Sequence, residues 1–439
     1  MRRKSLFRAA VLALVMASAA VAAKAQVTGL FYKEVEKDGR IYVFNTPERL
    51  KSFEASGGDI GTAITLLDRG EHGETLVGEN ETAIDLYLFR HNLDAYERPT
   101  PQPAKPAAYP KEKLSIRVYA DVSSKENKDE GTGIKSSDSG VGVDVKRTYF
   151  TYSRDFDEKW SALFQSDIGD QGARRYDVFV KKAFVQYKLN PNATFRLGAA
   201  DTPWIPFVEG IYGLRYVEQT ITDRLSFGAS ADWGLHFLGK ALGDTVNFQL
   251  SAQNGRGFSN PTRSKSVDFE GRISFVPVKG LTLALGGYSG KRGLETDAAP
   301  SKHTATRTDA LVAYGNDKFK LGGEWFEANN WNTVTAVAKD KSDGYAVWGS
   351  FAATKAVTVF AKFEEAKPSK DIKPLLKENY YNLGFEYRYN KAFAGSLVYK
   401  YDEVKGGTVG TGNSGTVGST RAGAKGKSNE IGLFTVFDF

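Results

Sequence analysis

From Lys113 onward, apolar and polar residues alternate with a period of two. Leu114, Ile116, Val118, Ala120 and Val122 occupy one set of positions, and Ser115, Arg117, Tyr119 and Asp121 fill the other. Tyr381, Leu383, Phe385, Tyr387 and Tyr389 alternate in the same way with Asn382, Gly384, Glu386 and Arg388. A β-strand sends successive side chains to opposite faces, so this period predicts strands with one apolar and one polar face. Sixteen such segments can be read: 113–123, 141–154, 159–169, 176–189, 193–201, 225–239, 244–253, 264–276, 280–289, 304–315, 317–328, 341–353, 355–364, 376–389, 393–403 and 427–439.

The connectors alternate in length. DFDE, NPN, KALG, PVK, N, T and NKA are short; SSKENKDEGTG, 202–224, NGRGFSNP, KRGLETDAAPSK, NNWNTV, AKPSKDIKP and KGGTVGTGNSGTVGST are long. Short turns on one side and long loops on the other are the pattern of a transmembrane β-barrel. Seven short turns fit sixteen strands with both ends on the short-turn side. Eighteen strands fit if 202–224 hides a hairpin, and fourteen fit if two segments such as those in 113–154 lie outside the sheet. The sheet is expected to close, because an open edge in lipid strands backbone polar groups at several kcal/mol each. The predicted fold is therefore an all-β transmembrane barrel of about sixteen antiparallel strands. Trp160, Phe195, Phe275, Phe319, Trp348, Phe351, Phe393 and Phe437 fall near short turns and are expected to form an aromatic girdle.

Mean hydropathy of −0.38 fits such a barrel, because lipid-facing and lumen-facing residues average out. The ending IGLFTVFDF places Phe439, Phe437, Thr435, Leu433 and Ile431 on one face. It resembles the last strand of bacterial outer-membrane barrels, which implies that Phe437 and Phe439 form a signal for the barrel assembly machinery. At the other end, MRRKSLFR, the apolar run AAVLALVMASAAVA and Ala23-Lys24-Ala25 read as a secretory signal peptide, 1–25. The apolar run is short of the ~20 residues of a spanning helix. The chain has no cysteine. This excludes thiol catalysis, Cys-ligated iron–sulfur centres and covalent haem.

Formal charge is +7, and removing the five positive charges of residues 1–25 leaves +2. Residues 26–98 hold 8 basic and 14 acidic groups, whereas 99–439 hold 46 basic and 38 acidic groups. PTPQPAKPAAYP, 99–110, separates them. Its five prolines exclude a central strand or helix interior and favour a semi-rigid linker. The domain reading is thus 26–98, a small α+β periplasmic domain, then the linker, then a barrel over 111–439.

In the small domain, FYKEVE and RIYVFN flank Asp38-Gly39 as a hairpin. Thr46 is expected to cap a helix beginning at Pro47, and Gly57 follows its end. TAITLLD and GETLVGE, then Asn80 capping ETAIDLYLFRHNL, repeat the order, giving two ββα units. The first unit resembles small metal-associated domains with a "YxF…F" hairpin and helix. Those carry cysteines, so no metal role transfers. Docking module, cell-wall tether, channel plug and simple spacer are the readings for this region.

A barrel this wide keeps an aqueous channel. Alternation turns Arg117, Arg196, Arg272, Lys320, Lys362, Arg388 and Lys400 inward, with acidic neighbours Asp121, Glu270, Glu364, Glu386 and Asp402. Basic rings favour anions, so this mixed lining with a basic surplus predicts a weak anion preference.

The stretch 202–224, TPWIPFVEGIYGLRYVEQTITDR, is too apolar for an exposed loop: Trp204, Ile205, Phe207, Val208, Ile211, Tyr212, Leu214 and Tyr216 crowd it. It follows the fifth strand, which makes it the third long loop. Together with its flanks, KKAFVQYKLNPNATFRLGAADTPWIPF and GLRYVEQTITDRLSFGASADWGLHF, it resembles the phosphate-selective porin O and P family. The shared elements are a Gly strand, a Pro-Phe pair, an aromatic–Glu segment, an Arg and a second Gly strand. The likeness is carried by about 180–240, thins over the rest of 113–439 and does not reach the N-terminal domain. It implies a sixteen-stranded homotrimer in the outer membrane, an inward third loop and transport of small hydrophilic or anionic solutes. The constriction residues would be Glu209, Arg215, Glu218 and Arg224, with Lys181, Lys182 and Arg196 facing them from the wall. Phosphate selection in that family rests on a dense basic cluster. Here Arg215 and Arg224 are balanced by Glu209, Glu218 and Asp223, so the channel carries over and phosphate selection does not.

The four histidines, His72, His91, His236 and His303, suggest no catalytic triad or metal spacing. No enzyme, metal or cofactor is predicted. The glycine-rich run lacks the Gly-Lys-Ser/Thr ending of a phosphate loop, and export argues against nucleic acid. Two function classes remain: a passive diffusion channel, and a structural protein that docks the outer membrane to the cell wall or a periplasmic partner through the N-terminal domain.

Overall fold

The computed structural model describes residues 31–96, 109–170, 176–412 and 415–439. Residues 1–25, expected to be a signal peptide, and the proline-rich stretch up to 108 lie outside the described residues. The described chain forms two compact units that divide between Ala107 and Ala108.

The first unit contains β1 (Lys33–Lys37), β2 (Arg40–Phe44), α1 (Pro47–Ala55), β3 (Ile64–Leu66), β4 (Thr75–Gly78) and α2 (Glu81–Arg90). Asp38 and Gly39 both take positive φ, as the tight hairpin turn requires. Asn80 caps α2 by accepting a hydrogen bond from the Ala83 amide at 2.9 Å. Thr46 does not cap α1 with its side chain. Its hydroxyl donates instead to Glu79 Oε2 at 3.0 Å, and the Asn45 amide donates to Glu79 Oε1 at 2.7 Å. The carboxylate at the end of β4 draws the Thr46 side chain away from the helix. The two ββα units share one sheet, ordered β1-β2-β4-β3, because β2 and β4 pair in parallel.

The second unit contains β5 (Lys111–Asp129), β6 (Gly140–Asp155), β7 (Trp160–Asp170), β8 (Tyr176–Asn190), β9 (Ala193–Asp201), α3 (Ile205–Tyr212), α4 (Ile221–Arg224), β10 (Ala231–Ala241), β11 (Val246–Gln253), β12 (Asp268–Phe275), β13 (Leu281–Gly290), β14 (Ala305–Gly315), β15 (Phe319–Asn329), β16 (Lys341–Ala352), β17 (Val357–Lys367), β18 (Lys377–Arg388), β19 (Phe393–Lys405), β20 (Thr408–Thr411), β21 (Gly415–Gly418) and β22 (Lys425–Asp438). All but β20 and β21 close into one antiparallel sixteen-stranded barrel. Closure joins β22 to β5, with Leu433 opposite Val122. Each of the sixteen segments read from the sequence is a strand. Two bounds shift by six residues: 113–123 runs on to Asp129 in β5, and 225–239 starts only at Ala231, because α4 and a left-handed Ser226 occupy the preceding residues. No helix among the described residues is long and apolar enough to cross a membrane.

The two faces follow the alternation. On β18, Leu383 and Phe385 are 56% and 49% exposed, whereas Tyr380 and Asn382 are buried. Trp348 is a correction to the expected girdle. Its even-numbered position on β16 turns it inward with Ala346, where it is buried and packs edge-on against Tyr212 at 5.7 Å. Gly322 on β15 lies opposite, and a Cβ there would meet the indole at 2.4 Å. Phe437 faces out, stacked on Phe393 at 4.7 Å.

Candidate functional site

The excursion between β9 and β10 closes at its base. Thr202 donates its hydroxyl to the Ala229 carbonyl at 2.6 Å and its amide to the Ser230 carbonyl at 3.3 Å. Pro206 suits the first turn of α3, and Gly213 ends the helix in a left-handed conformation at φ 78°. The apolar residues that made this segment unusual are buried: Trp204, Ile205, Val208, Tyr212, Val217 and Ile221.

Polar side chains then tie the segment to distant strands. Trp204 Nε1 and Thr222 Oγ1 each donate to Glu324 Oε1 on β15 at 3.0 Å. The Tyr216 hydroxyl lies 2.6 Å from Glu386 Oε2 on β18 and 2.6 Å from Ser396 Oγ on β19. In the ring order, β17 and β18 lie opposite the β9–β10 junction. The segment therefore reaches the far wall.

Arg224 is fully buried there. It donates to Glu364 Oε2 at 2.6 Å, to Asp402 Oδ2 at 3.2 Å and to Glu378, and its guanidinium lies 4.3 Å from the Tyr380 ring centroid. Glu218 is also buried, 3.4 Å from Lys400 Nζ. Burial alone would raise its carboxyl, but Lys400 and Lys362 outweigh that and pull it down to about 2. Glu209 pairs with Arg215 at 2.6 Å, and Arg215 also lies 3.5 Å from Asp223. Burial and Asp223 raise the Glu209 carboxyl to about 7 against the pull of Arg215.

The other basic residues read from the sequence divide into three groups. Lys362 and Lys400 are buried at the far wall. Lys362 pairs with Glu364 at 2.7 Å and donates to the Gln219 carbonyl at 2.5 Å, and Lys400 also meets Glu430 at 3.3 Å. Arg272 holds the start of the segment, donating to the Pro203 carbonyl at 2.9 Å with its guanidinium 3.8 Å from the Phe207 ring centroid. The rest line the barrel singly. Arg117 pairs with Asp438 at 2.5 Å, Lys182 with Asp201 at 2.6 Å and Arg388 with Glu386 at 3.0 Å; Arg196 donates to Gln186 at 2.9 Å. Lys320 is exposed at the start of β15. Asp121, expected to accompany Arg117, instead meets Lys146 at 3.1 Å.

Two β-bulges set consecutive cations on the inward face: Lys146 with Arg147, which the alternation misses, and Lys181 with Lys182, both expected at the wall. Tyr119 opposes Arg147 while Ala120 opposes Val145, so Lys146 is the extra residue. Lys146 and Arg147 then both find inward carboxylates, Asp121 and Asp167. Likewise Gln165 opposes Lys182 and Ser166 opposes Val180, leaving Lys181 extra. A bulge lets consecutive side chains share a face. Arg307 was also missed. It is fully buried on β14, pairing with Asp309 at 2.9 Å and Glu270 at 2.8 Å. Arg307 and Asp309 stand two apart, so the period of two carried that signal.

A cavity of about 640 Å³ lies between the segment and the β5–β8 wall. Pro206, Glu209 and Arg215 line it from the segment, and Arg117, Tyr119, Tyr149, Gln165, Lys181 and Lys182 from the strands. Lys113 and Lys391 lie at its end with Asp438 and Phe439. A second cavity of about 260 Å³ is lined by Asp232, Arg256, Glu270, Arg292, Arg307 and Trp331. His236 is buried with Nδ1 2.8 Å from Ser251 Oγ. Among the described residues no cluster of three His, Cys, Asp or Glu is placed to hold a metal.

No family model matches the chain, and no curated protein matches its sequence. Solved structures match its fold. An anion-selective porin from Comamonas acidovorans is 16% identical with a TM-score of 0.53, covering 75% of this chain and 100% of that one. The outer membrane channel DcaP of Acinetobacter baumannii is 12% identical with a TM-score of 0.54, covering 76% and 99%. OmpT, an outer membrane protein of Vibrio cholerae, is 13% identical with a TM-score of 0.51, covering 76% and 100%. At these identities the likeness is one of fold: the closed barrel of bacterial outer-membrane porins.

Proposed function

We propose that this chain is an outer-membrane channel through which small hydrophilic solutes diffuse passively, with a weak preference for anions. The 202–224 segment is the narrowing element, and the cavity it leaves along the β5–β8 wall is the route. One observation carries the reading. The segment's polar groups are anchored to the wall opposite its base, while the near side keeps a cavity with six basic side chains, Lys113, Arg117, Lys181, Lys182, Arg215 and Lys391, against three acidic ones, Asp201, Glu209 and Asp438. Each of those acids pairs with a lining base. The remainder is positive, which favours anions. Three of the six bases are paired with carboxylates, so phosphate selection is not part of the proposal.

Export, membrane insertion by the assembly machinery acting on Phe437 and Phe439, and a periplasmic location for the N-terminal unit belong to the same proposal. So does a homotrimer, since OmpT of Vibrio cholerae has been solved in a trimer form.

Liposome swelling tests the proposal. Vesicles containing the purified protein should swell in isosmotic solutions of small neutral sugars, faster for smaller sugars. Vesicles that stay as tight as protein-free ones would overturn it.

A further inference from the structure

The smaller cavity, of about 260 Å³, lies away from the β5–β8 wall. Residues 226–229, which return the narrowing segment to β10, line it on one side. The long connectors 254–267, 291–304 and 330–340 supply Arg256, Arg292 and Trp331 on the other. We propose that this cavity binds a small hydroxycarboxylate, with Arg256 and Arg292 taking the carboxylate and Gln253 accepting a hydrogen bond from the ligand's hydroxyl. A solute held there stands on the long-loop side of the narrowing, and in that respect the site rests on the channel reading above.

Asp232 shapes the cationic side. Its Oδ2 accepts from the Gly255 amide at 2.8 Å and from the Gly257 amide at 3.2 Å. Both glycines have positive φ, 89° and 77°, which lets the chain curl around the carboxylate. Arg256 stands between them. Its stem packs on Gly293, where a Cβ would meet Arg256 Cγ at 2.4 Å. Among the described residues its guanidinium makes no hydrogen bond and no ion pair. Arg292 donates to the Trp331 carbonyl at 2.5 Å and to Asn332 Oδ1 at 3.2 Å, and lies 4.6 Å from the Trp331 ring centroid. These partners are neutral and leave its charge in place.

The lining holds three guanidiniums, with Arg307, against two carboxylates, Asp232 and Glu270. Glu270 is taken by Arg307 at 2.8 Å, and Asp232 by backbone amides. Arg256 and Arg292 are therefore left for an incoming acid, and the planar fork of a guanidinium matches a carboxylate. Gln253 makes the opposite demand. Its Nε2 donates to Glu270 Oε2 at 3.3 Å, whereas Oε1 is buried without a donor. The residue is only 4% exposed. A buried acceptor left unpaired is costly, and a ligand O–H relieves it. An ammonium would stand among three guanidiniums, so a neutral hydroxyl fits better. The volume falls below that of sites for drug-sized molecules, which suits a small acid.

Saturation-transfer NMR on the full-length protein in detergent micelles tests the site. The probes are lactate, propionate and alanine, which differ only in carrying a hydroxyl, a hydrogen or an ammonium at one carbon. Lactate should bind wild type about threefold or more tighter than propionate, and tighter than alanine. R256Q should weaken lactate and propionate alike by about tenfold, and R256K should weaken them less. Q253M should remove the advantage of lactate and leave propionate unchanged. Arg256 is exposed and unpaired, so R256Q should assemble normally; if Q253M does not, R256Q and the wild-type preference for lactate decide. Lactate binding unchanged in R256Q, or no preference for lactate over propionate in wild type, would overturn the proposal. Alanine binding tighter than lactate would overturn the hydroxyl assignment. Planar-bilayer recordings on the same preparation keep the two readings apart: conductance steps without lactate binding sink the site alone, and lactate binding without steps sinks the channel alone.

Discussion

Arg224 Nε lies 2.6 Å from Glu364 Oε2, joining the segment between β9 and β10 to β17 across the barrel. Both side chains are fully buried. A buried ion pair is weak evidence for stability, yet removing one member leaves an uncompensated charge at ~3–5 kcal/mol. Here three carboxylates depend on one guanidinium. We expect R224M to free the segment from the far wall. Single-channel conductance should rise above wild type, and the folded barrel should unfold at a lower temperature on heat-modifiability gels. A variant with wild-type conductance and melting would mean that the cage is not an anchor.

Trp204 is the apolar counterpart of that anchor. Its indole is buried, lies over Gly286, where a Cβ would meet it at 2.5 Å, and donates to Glu324. W204A opens a cavity and removes a donor from a buried carboxylate. The expected loss is about 3–5 kcal/mol, read as a lower denaturation midpoint in detergent. W204F keeps most of the volume and should lose less.

Glu218 predicts an acid limit. Its folded carboxyl, held at about 2 by Lys400 and Lys362 against burial, lies below the ordinary value near 4.5. A lowered carboxyl stabilises above the unfolded value and loses that contribution as pH falls through the folded one. The size is roughly 3 kcal/mol. The stability difference between wild type and E218Q should be full above about pH 4.5 and fade by about pH 2. A difference constant over that range would contradict the pairing.

In the first unit, His91 lies between Glu71 at 2.7 Å and Glu34 at 3.0 Å. The hydrogen bond to Glu34 raises its pKa, burial opposes it, and the bond to Glu71 and the charge of both carboxylates tip the balance upward. A raised histidine stabilises fully below its unfolded value and ceases to do so as pH rises through the folded one. The ring is partly exposed, so the effect is below about 1 kcal/mol. The protection factors of backbone amides in β1 and α2, taken relative to intrinsic exchange at each pH, should fall between mildly acidic and mildly basic pH in wild type, and not in H91Q.

The sequence made the barrel legible because each strand has one apolar outward face, and a period of two survives any detail of packing. Connector lengths added which end of the barrel carries the short turns. The same rule failed wherever geometry departs from it locally. Lys146 is the extra residue of a bulge, which leaves no mark in an alternating pattern; Lys181, also at a bulge, is reached through the loop resemblance and not through alternation. Trp348 lies near a short turn, as a girdle residue should, but on the inward parity. Thr46 has the residue type of a helix cap, yet Glu79, 33 positions away, takes its hydroxyl. The segment 202–224 announced itself by excess apolar residues. What Arg224 and Glu218 meet could not be read, since Glu364 and Lys400 lie 140 and 182 positions further on.

Current through single molecules tests the central claim most directly. Full-length protein added to a planar bilayer should produce discrete, uniform conductance steps that scale with salt concentration, with a reversal potential of the sign that anions carry. Correctly folded protein that inserts and yields no steps, or steps carried mainly by cations, would contradict the account.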